Sequence, residues 1–140
     1  MRTSKTMLNL FYIYSKQKSC TIRKLFVFLK CMRRMISYGG FFEAFMQSLS
    51  PEQKEKINYG LLLLKNMDRL PTKFVRYIED GLYELRTEYE GNIFRTFFMF
   101  DKGNVVVLLN GFQKKTQRTP RSEIEKAKRI KKEYYEGTRK

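Results

Sequence analysis

Apolar positions along this chain repeat first with a helical period and then with a strand period. Between Phe41 and Leu49, residues Phe42, Phe45, Met46 and Leu49 recur at i, i+3, i+4 and i+7, the spacing that gathers side chains on one helical stripe. A short strand, Met35–Tyr38, precedes this helix and ends at Gly39-Gly40. Ser50-Pro51-Glu52-Gln53 opens a second helix. Ser50 can accept from the first turn, Pro51 loses no hydrogen bond at the first helical position, and Gln53 closes a capping box. This helix is predicted to run to about Asp68 and to bury Ile57, Leu61 and Leu64, with Leu63 at one edge. Pro71 ends the linker behind it, and Lys73–Ile78 reads as a short helical or extended connector.

From Gly81 the period shortens to two. Turn signals at Glu90-Gly91-Asn92 and Asp101-Lys102-Gly103-Asn104 divide Gly81–Pro120 into three strand-like segments, the pattern of an antiparallel meander. Alternation places Leu82, Glu84, Arg86 and Glu88 on one face and Tyr83, Leu85, Thr87 and Tyr89 on the other. In the next segment Ile93, Arg95, Phe97 and Met99 share one side, with Phe94, Thr96, Phe98 and Phe100 opposite. Val105–Leu109 is apolar on both sides, as a covered central strand requires. Thr119 as N-cap and Pro120 at the first position predict a last helix, whose apolar stripe is Ile124, Ala127, Ile130 and Tyr134. The order predicts an α+β domain: a small antiparallel sheet with two N-terminal helices packed on it and a C-terminal helix.

Length and charge sharpen this picture. One hundred and forty residues hold one modest core. The net charge of +15 is spread unevenly. Residues 1–35 carry nine Lys/Arg and no acid, residues 36–110 nine against ten acids, and residues 111–140 eleven against four. A balanced domain therefore lies between two basic ends, which suit nucleic acid, an anionic membrane or an acidic protein.

Residues 1–34 differ from the rest. Leu8–Tyr14 and Leu25–Leu29 are short apolar runs split by Lys16, Lys18, Arg23 and Lys24. A transmembrane helix needs about 20 apolar residues, so no span is expected, and no secretory signal is recognisable. The segment reads as a basic extension arising from an upstream start, with Met32 or Met35 as the start, or as a basic amphipathic membrane segment. The two cysteines, Cys20 and Cys31, form no CxxC pair, and the chain has no histidine. No metal site and no cofactor are expected. Without histidine, proton transfer falls to Glu, Tyr, Lys or Arg.

Three sets of residues could carry chemistry. Arg86 and Arg95 face each other across the first hairpin, and each could grip a phosphate through its bidentate fork or pair with Glu84 or Glu88. Lys114, Lys115, Gln117 and Arg118, with Arg121 beyond, leave the last strand before a helix N-terminus and could hold an anion. The last helix adds Lys126, Lys128, Arg129, Lys131 and Lys132, a solvated face that could also touch RNA. Tyr83, Tyr89 and Phe94 are available for base stacking or for packing.

The ordered set Gly81-Leu82-Tyr83-Glu84-Leu85-Arg86, Gly91-Asn92-Ile93-Phe94-Arg95, and Gly111-Phe112 followed by Lys114-Lys115-Thr116-Gln117-Arg118-Thr119-Pro120 resembles the RelE/HigB-type toxins of type II toxin–antitoxin systems. The likeness is to their phage-derived HigB-like branch and spans roughly residues 35–136. It implies a RelE-like fold and a cytoplasmic, ribosome-dependent mRNA endonuclease. It also implies a helix-turn-helix antitoxin as partner. By the resemblance, Arg95 stabilises the reacting phosphate, Arg86 is a family-typical arginine, and a basic residue at the sheet exit, here Lys114, joins them. Some relatives use paired lysines where this chain has Leu82 and Glu84, and HigB-type enzymes often use histidine. Glu84, Tyr89 and Lys114 are therefore the candidates for the base and the leaving-group acid. The same fold also serves ParE-like gyrase poisons, and a non-catalytic basic nucleic-acid-binding module is a third expectation.

Overall fold

The computed structural model describes residues 32–139; the expectations for residues 1–31 lie outside the described residues. In chain order the elements are β1 (Arg34–Ser37), α1 (Phe41–Gln47), α2 (Pro51–Asn66), β2 (Val75–Glu79), β3 (Leu82–Tyr89), β4 (Asn92–Asp101), β5 (Val105–Lys114) and α3 (Arg121–Thr138). The five strands form one sheet in the order β1-β5-β4-β3-β2. Among the described residues no helix is long and apolar enough to cross a membrane.

Two features depart from the expected antiparallel sheet. First, β1 runs parallel to β5, with Arg34 opposite Val105 and Ser37 opposite Leu108, so the sheet is mixed. A parallel pair needs a long connection, supplied here by everything from α1 to the β4–β5 turn. Second, Lys73–Ile78 is not a connector, because Val75–Glu79 is the strand β2, paired antiparallel with β3. The β2–β3 turn is Asp80-Gly81, with φ of 50° and 72°. Positive φ at both central residues is what a two-residue hairpin turn demands.

The sheet separates two apolar layers, and the predicted alternation assigns its faces correctly. On one face Leu85, Phe94, Phe98, Val106 and Leu108 meet Phe42 of α1 and Ile57, Leu61 and Leu64 of α2. On the other, Leu82, Phe97, Met99, Val107 and Leu109 lie under Ile124, Ala127, Ile130 and Tyr134 of α3. Burying each such side chain contributes about 1.5–3 kcal/mol.

Local chemistry sets the ends of the helices. The Ser50–Gln53 capping box forms as predicted: Ser50 N donates to Gln53 Oε1 (3.1 Å) and Gln53 N donates to Ser50 Oγ (3.3 Å). At the other end of α2, the Arg33 guanidinium donates to the carbonyls of Leu64 (2.6 Å) and Asp68 (2.8 Å), occupying oxygens that a helix terminus leaves unpaired. Arg33 and Arg34, grouped with the extension on sequence grounds, thus take part in the fold. Thr119 does not cap α3: Pro120 holds the N-cap position without a side-chain bond. The Thr119 hydroxyl is used elsewhere, as described below.

Candidate nucleic-acid interface

The β3–β4 turn, Glu90-Gly91, has φ of 48° and 74°, and this two-residue connection fixes the register beyond it. Arg86 stands opposite Arg95 on β4. Two residues nearer the turn, Lys114 of β5 stands opposite Ile93. Arg76 of β2 stands opposite Glu84. All belong to the α3 face of the sheet. Because α3 packs over Leu82, Met99 and Val107, the cations lie at the other end of that face, toward the β3–β4 turn.

Within this group the two expected arginines have different fates. Arg95 is buried, 7% exposed, and its Nη1 donates to Oε1 of Glu84, itself only 1% exposed. The second carboxylate oxygen accepts from the Thr119 hydroxyl (3.2 Å). This corrects two expectations. Arg95 is not a free fork for phosphate, and Glu84 is not a free base, because each is consumed by the other and Thr119 completes the set. Arg95 Nε is left buried without a partner, and burial pulls its pKa down, with Arg76 adding to the effect. Arg86 remains accessible: its side chain is 39% exposed and it bonds the exposed Glu88 at 3.1 Å, a surface pair of little strength.

Lys114 is half-buried and, among the described residues, has no carboxylate partner. Its amine is held below the ordinary lysine range, first by burial and then by the positive charges of Arg95, Arg86 and Arg76. A lysine so placed is a cation next to cations and also a nascent base, since both influences favour the neutral amine. The loop after it exposes Lys115, Gln117 and Arg118. Thr116 Oγ1 donates to the Arg118 carbonyl (2.8 Å), and Thr119 ties the end of the loop to Glu84.

The remaining expected contacts lie elsewhere. Tyr89 projects from the opposite face and packs against the α1–α2 layer, so the sheet separates it from Arg86 and Lys114. Arg121 pairs with Glu79 (3.1 Å) and Glu125 (2.7 Å), and Lys128 with Glu79 (3.1 Å) and Asp80 (2.8 Å). These two cations link α3 to the β2–β3 hairpin through Glu79 and Asp80. Lys131 also reaches that hairpin, donating to the Asp80 carbonyl, while Lys126 lies over the Phe41 ring of α1 and Lys132 approaches Glu136 within α3.

Sequence reasoning missed Arg76 and Thr119. The signal for Arg76 was Asp80-Gly81, a strong two-residue hairpin turn that makes the preceding residues a strand. Thr119 offered no signal, because its partner is 35 residues away. Among the described residues, no group of three or more His, Cys, Asp or Glu could hold a metal ion. The sequence pattern of one family, described as phage-derived protein Gp49-like (DUF891), matches residues 44–132. No curated protein matches the chain.

Proposed function

The chain belongs to the phage-derived Gp49-like family, and on that premise we propose that it is a toxin of the RelE/HigB type that cuts mRNA on the ribosome. One observation carries this reading: Lys114 stands among Arg76, Arg86 and Arg95 with no carboxylate partner among the described residues. Crowded like charges are costly unless an anion joins them, and a phosphodiester is such an anion.

The chemistry follows from these groups. In its unprotonated form the Lys114 amine takes the proton of an RNA 2′-hydroxyl. The 2′-oxygen attacks the adjacent phosphorus, a P–O2′ bond forms and the P–O5′ bond breaks. The products are a 2′,3′-cyclic phosphate and a 5′-hydroxyl, the departing oxygen taking its proton from water. The Arg86 fork binds the non-bridging oxygens as charge builds on them. Arg95, held by Glu84, does not touch the phosphate; with burial, Arg86 and Arg76 it lowers the pKa of Lys114 and so raises the fraction of unprotonated amine. The ribosome positions the strand, which lowers the entropic cost of in-line geometry. A helix-turn-helix antitoxin is the partner that the resemblance implies.

Induction with and without the neighbouring gene, followed by mapping of RNA 5′ ends, tests this. Codon-spaced cuts support the nuclease, whereas DNA damage with intact mRNA points to a ParE-like gyrase poison. Neutralisation of Arg95 by Glu84 favours a second reading, a non-catalytic nucleic-acid-binding module, which would bind RNA with strong salt dependence and leave it uncut.

A further inference from the structure

We propose that Arg76 forms a second phosphate subsite at the β2 edge of the sheet, beyond the phosphate held by Lys114 and Arg86, so that the bound strand crosses from β5 over β4 and β3 and leaves across β2. The inference rests on the RNA-directed function proposed above and adds to it a direction and a minimum length. The register supports it. Arg76 is opposite Glu84, Arg86 opposite Arg95, and Lys114 opposite Ile93, one cation each from β2, β3 and β5 on a single face. Strands lie about 4.8 Å apart, so the backbones of β2 and β5 are about 14 Å apart, wider than one phosphate group.

Counting donors gives the same answer. A phosphodiester has two non-bridging oxygens. Lys114 and the Arg86 fork engage them from β5 and β3, which leaves Arg76, one strand farther out, for a neighbouring phosphate. Arg76 is exposed and, among the described residues, makes no ion pair. The pair holding Arg86 to Glu88 is exposed and readily exchanged. The β2 strand is the last of the sheet on its side, so no further strand of the described fold blocks that exit. Toward α3 the cations Arg121 and Lys128 are already paired with Glu79.

The test compares binding of a 2′-O-methyl RNA dinucleotide, with one phosphodiester, and a trinucleotide, with two. Neither can be cut by 2′-hydroxyl attack. The full-length chain should bind the trinucleotide about tenfold more tightly, the size of one charge-assisted contact at an accessible site. Its salt slope should be steeper by about 0.7. Arg76→Gln should abolish both gains and Arg76→Lys should restore part of them, with the thermal midpoint unchanged because Arg76 is exposed. A trinucleotide gain that survives Arg76→Gln, or no gain in the unmodified chain, overturns the subsite. A gain that depends on Arg76 while induced cells show uncut mRNA would keep the subsite and reject the nuclease.

Discussion

Arg95 reaches diagonally to Glu84, not across the hairpin to its register partner Arg86, and the resulting ion pair is almost fully buried. Its two members therefore depend on each other. Glu84→Ala leaves a guanidinium buried without a counter-charge and should cost about 3–5 kcal/mol, read as a lower denaturation midpoint in urea. Replacing both residues together, as Glu84→Leu with Arg95→Met, should recover most of that loss. If the double variant is no more stable than Glu84→Ala, the pair does not have the buried, mutually neutralising character described.

Lys114 makes a prediction about pH. Its folded pKa lies below the ordinary 10.5, so the folded state binds this proton less readily than the unfolded chain. Its cost to stability is relieved above the unfolded pKa and returns as pH falls through the folded one. Lys114→Met should accordingly raise the denaturation midpoint at neutral pH, and the advantage should shrink as pH rises toward 10.5. An advantage independent of pH would show that packing, not charge, is responsible.

Gly111 lies where α1 crosses β5. A Cβ there would stand 2.1 Å from Cδ1 of Phe45, so Gly111→Ala should destabilise by about 1–3 kcal/mol through overpacking. Phe45→Leu in the same chain should relieve part of the strain. Equal stability of Gly111→Ala and the unmodified chain in chemical denaturation would contradict this packing.

Tyr134 donates to Asp101 Oδ2 at 2.6 Å. This bond, with burial and the charge of Asp101, pushes the phenol up to about 12. The unfolded tyrosine ionises near 10.0, so the folded state gains stability below that pH and loses it as pH rises through the folded value. Titration of phenolate absorbance should show a tyrosine ionising near 12 that Asp101→Asn brings down. An unmoved titration would refute the pairing.

The paired position of Arg86 and Arg95 was legible because a two-residue turn and an alternating pattern leave one register. Both apolar layers were legible for the same reason, as Leu85 and Phe94 or Leu82 and Phe97 keep their faces by parity. The Ser50 cap is purely local and was read correctly. What escaped was set at long range. Pairing of β1 with β5 leaves no turn between them, so nothing near Arg34 announces Val105. The choice of Glu84 over solvent by Arg95 depends on Thr119 arriving from the loop after β5. Lys128 looked like a surface cation because Glu79 and Asp80 meet it only in the folded chain.

The central claim is that Lys114 removes a proton and does not merely attract phosphate. Cleavage of ribosome-bound mRNA by the unmodified chain and by Lys114→Arg measures this most directly, with RNA affinity determined alongside. The substitution keeps the positive charge but removes a base that can become neutral. Binding should persist while cleavage falls at least about 100-fold, the usual contribution of a positioned base. Cleavage by Lys114→Arg at the unmodified rate would contradict the account.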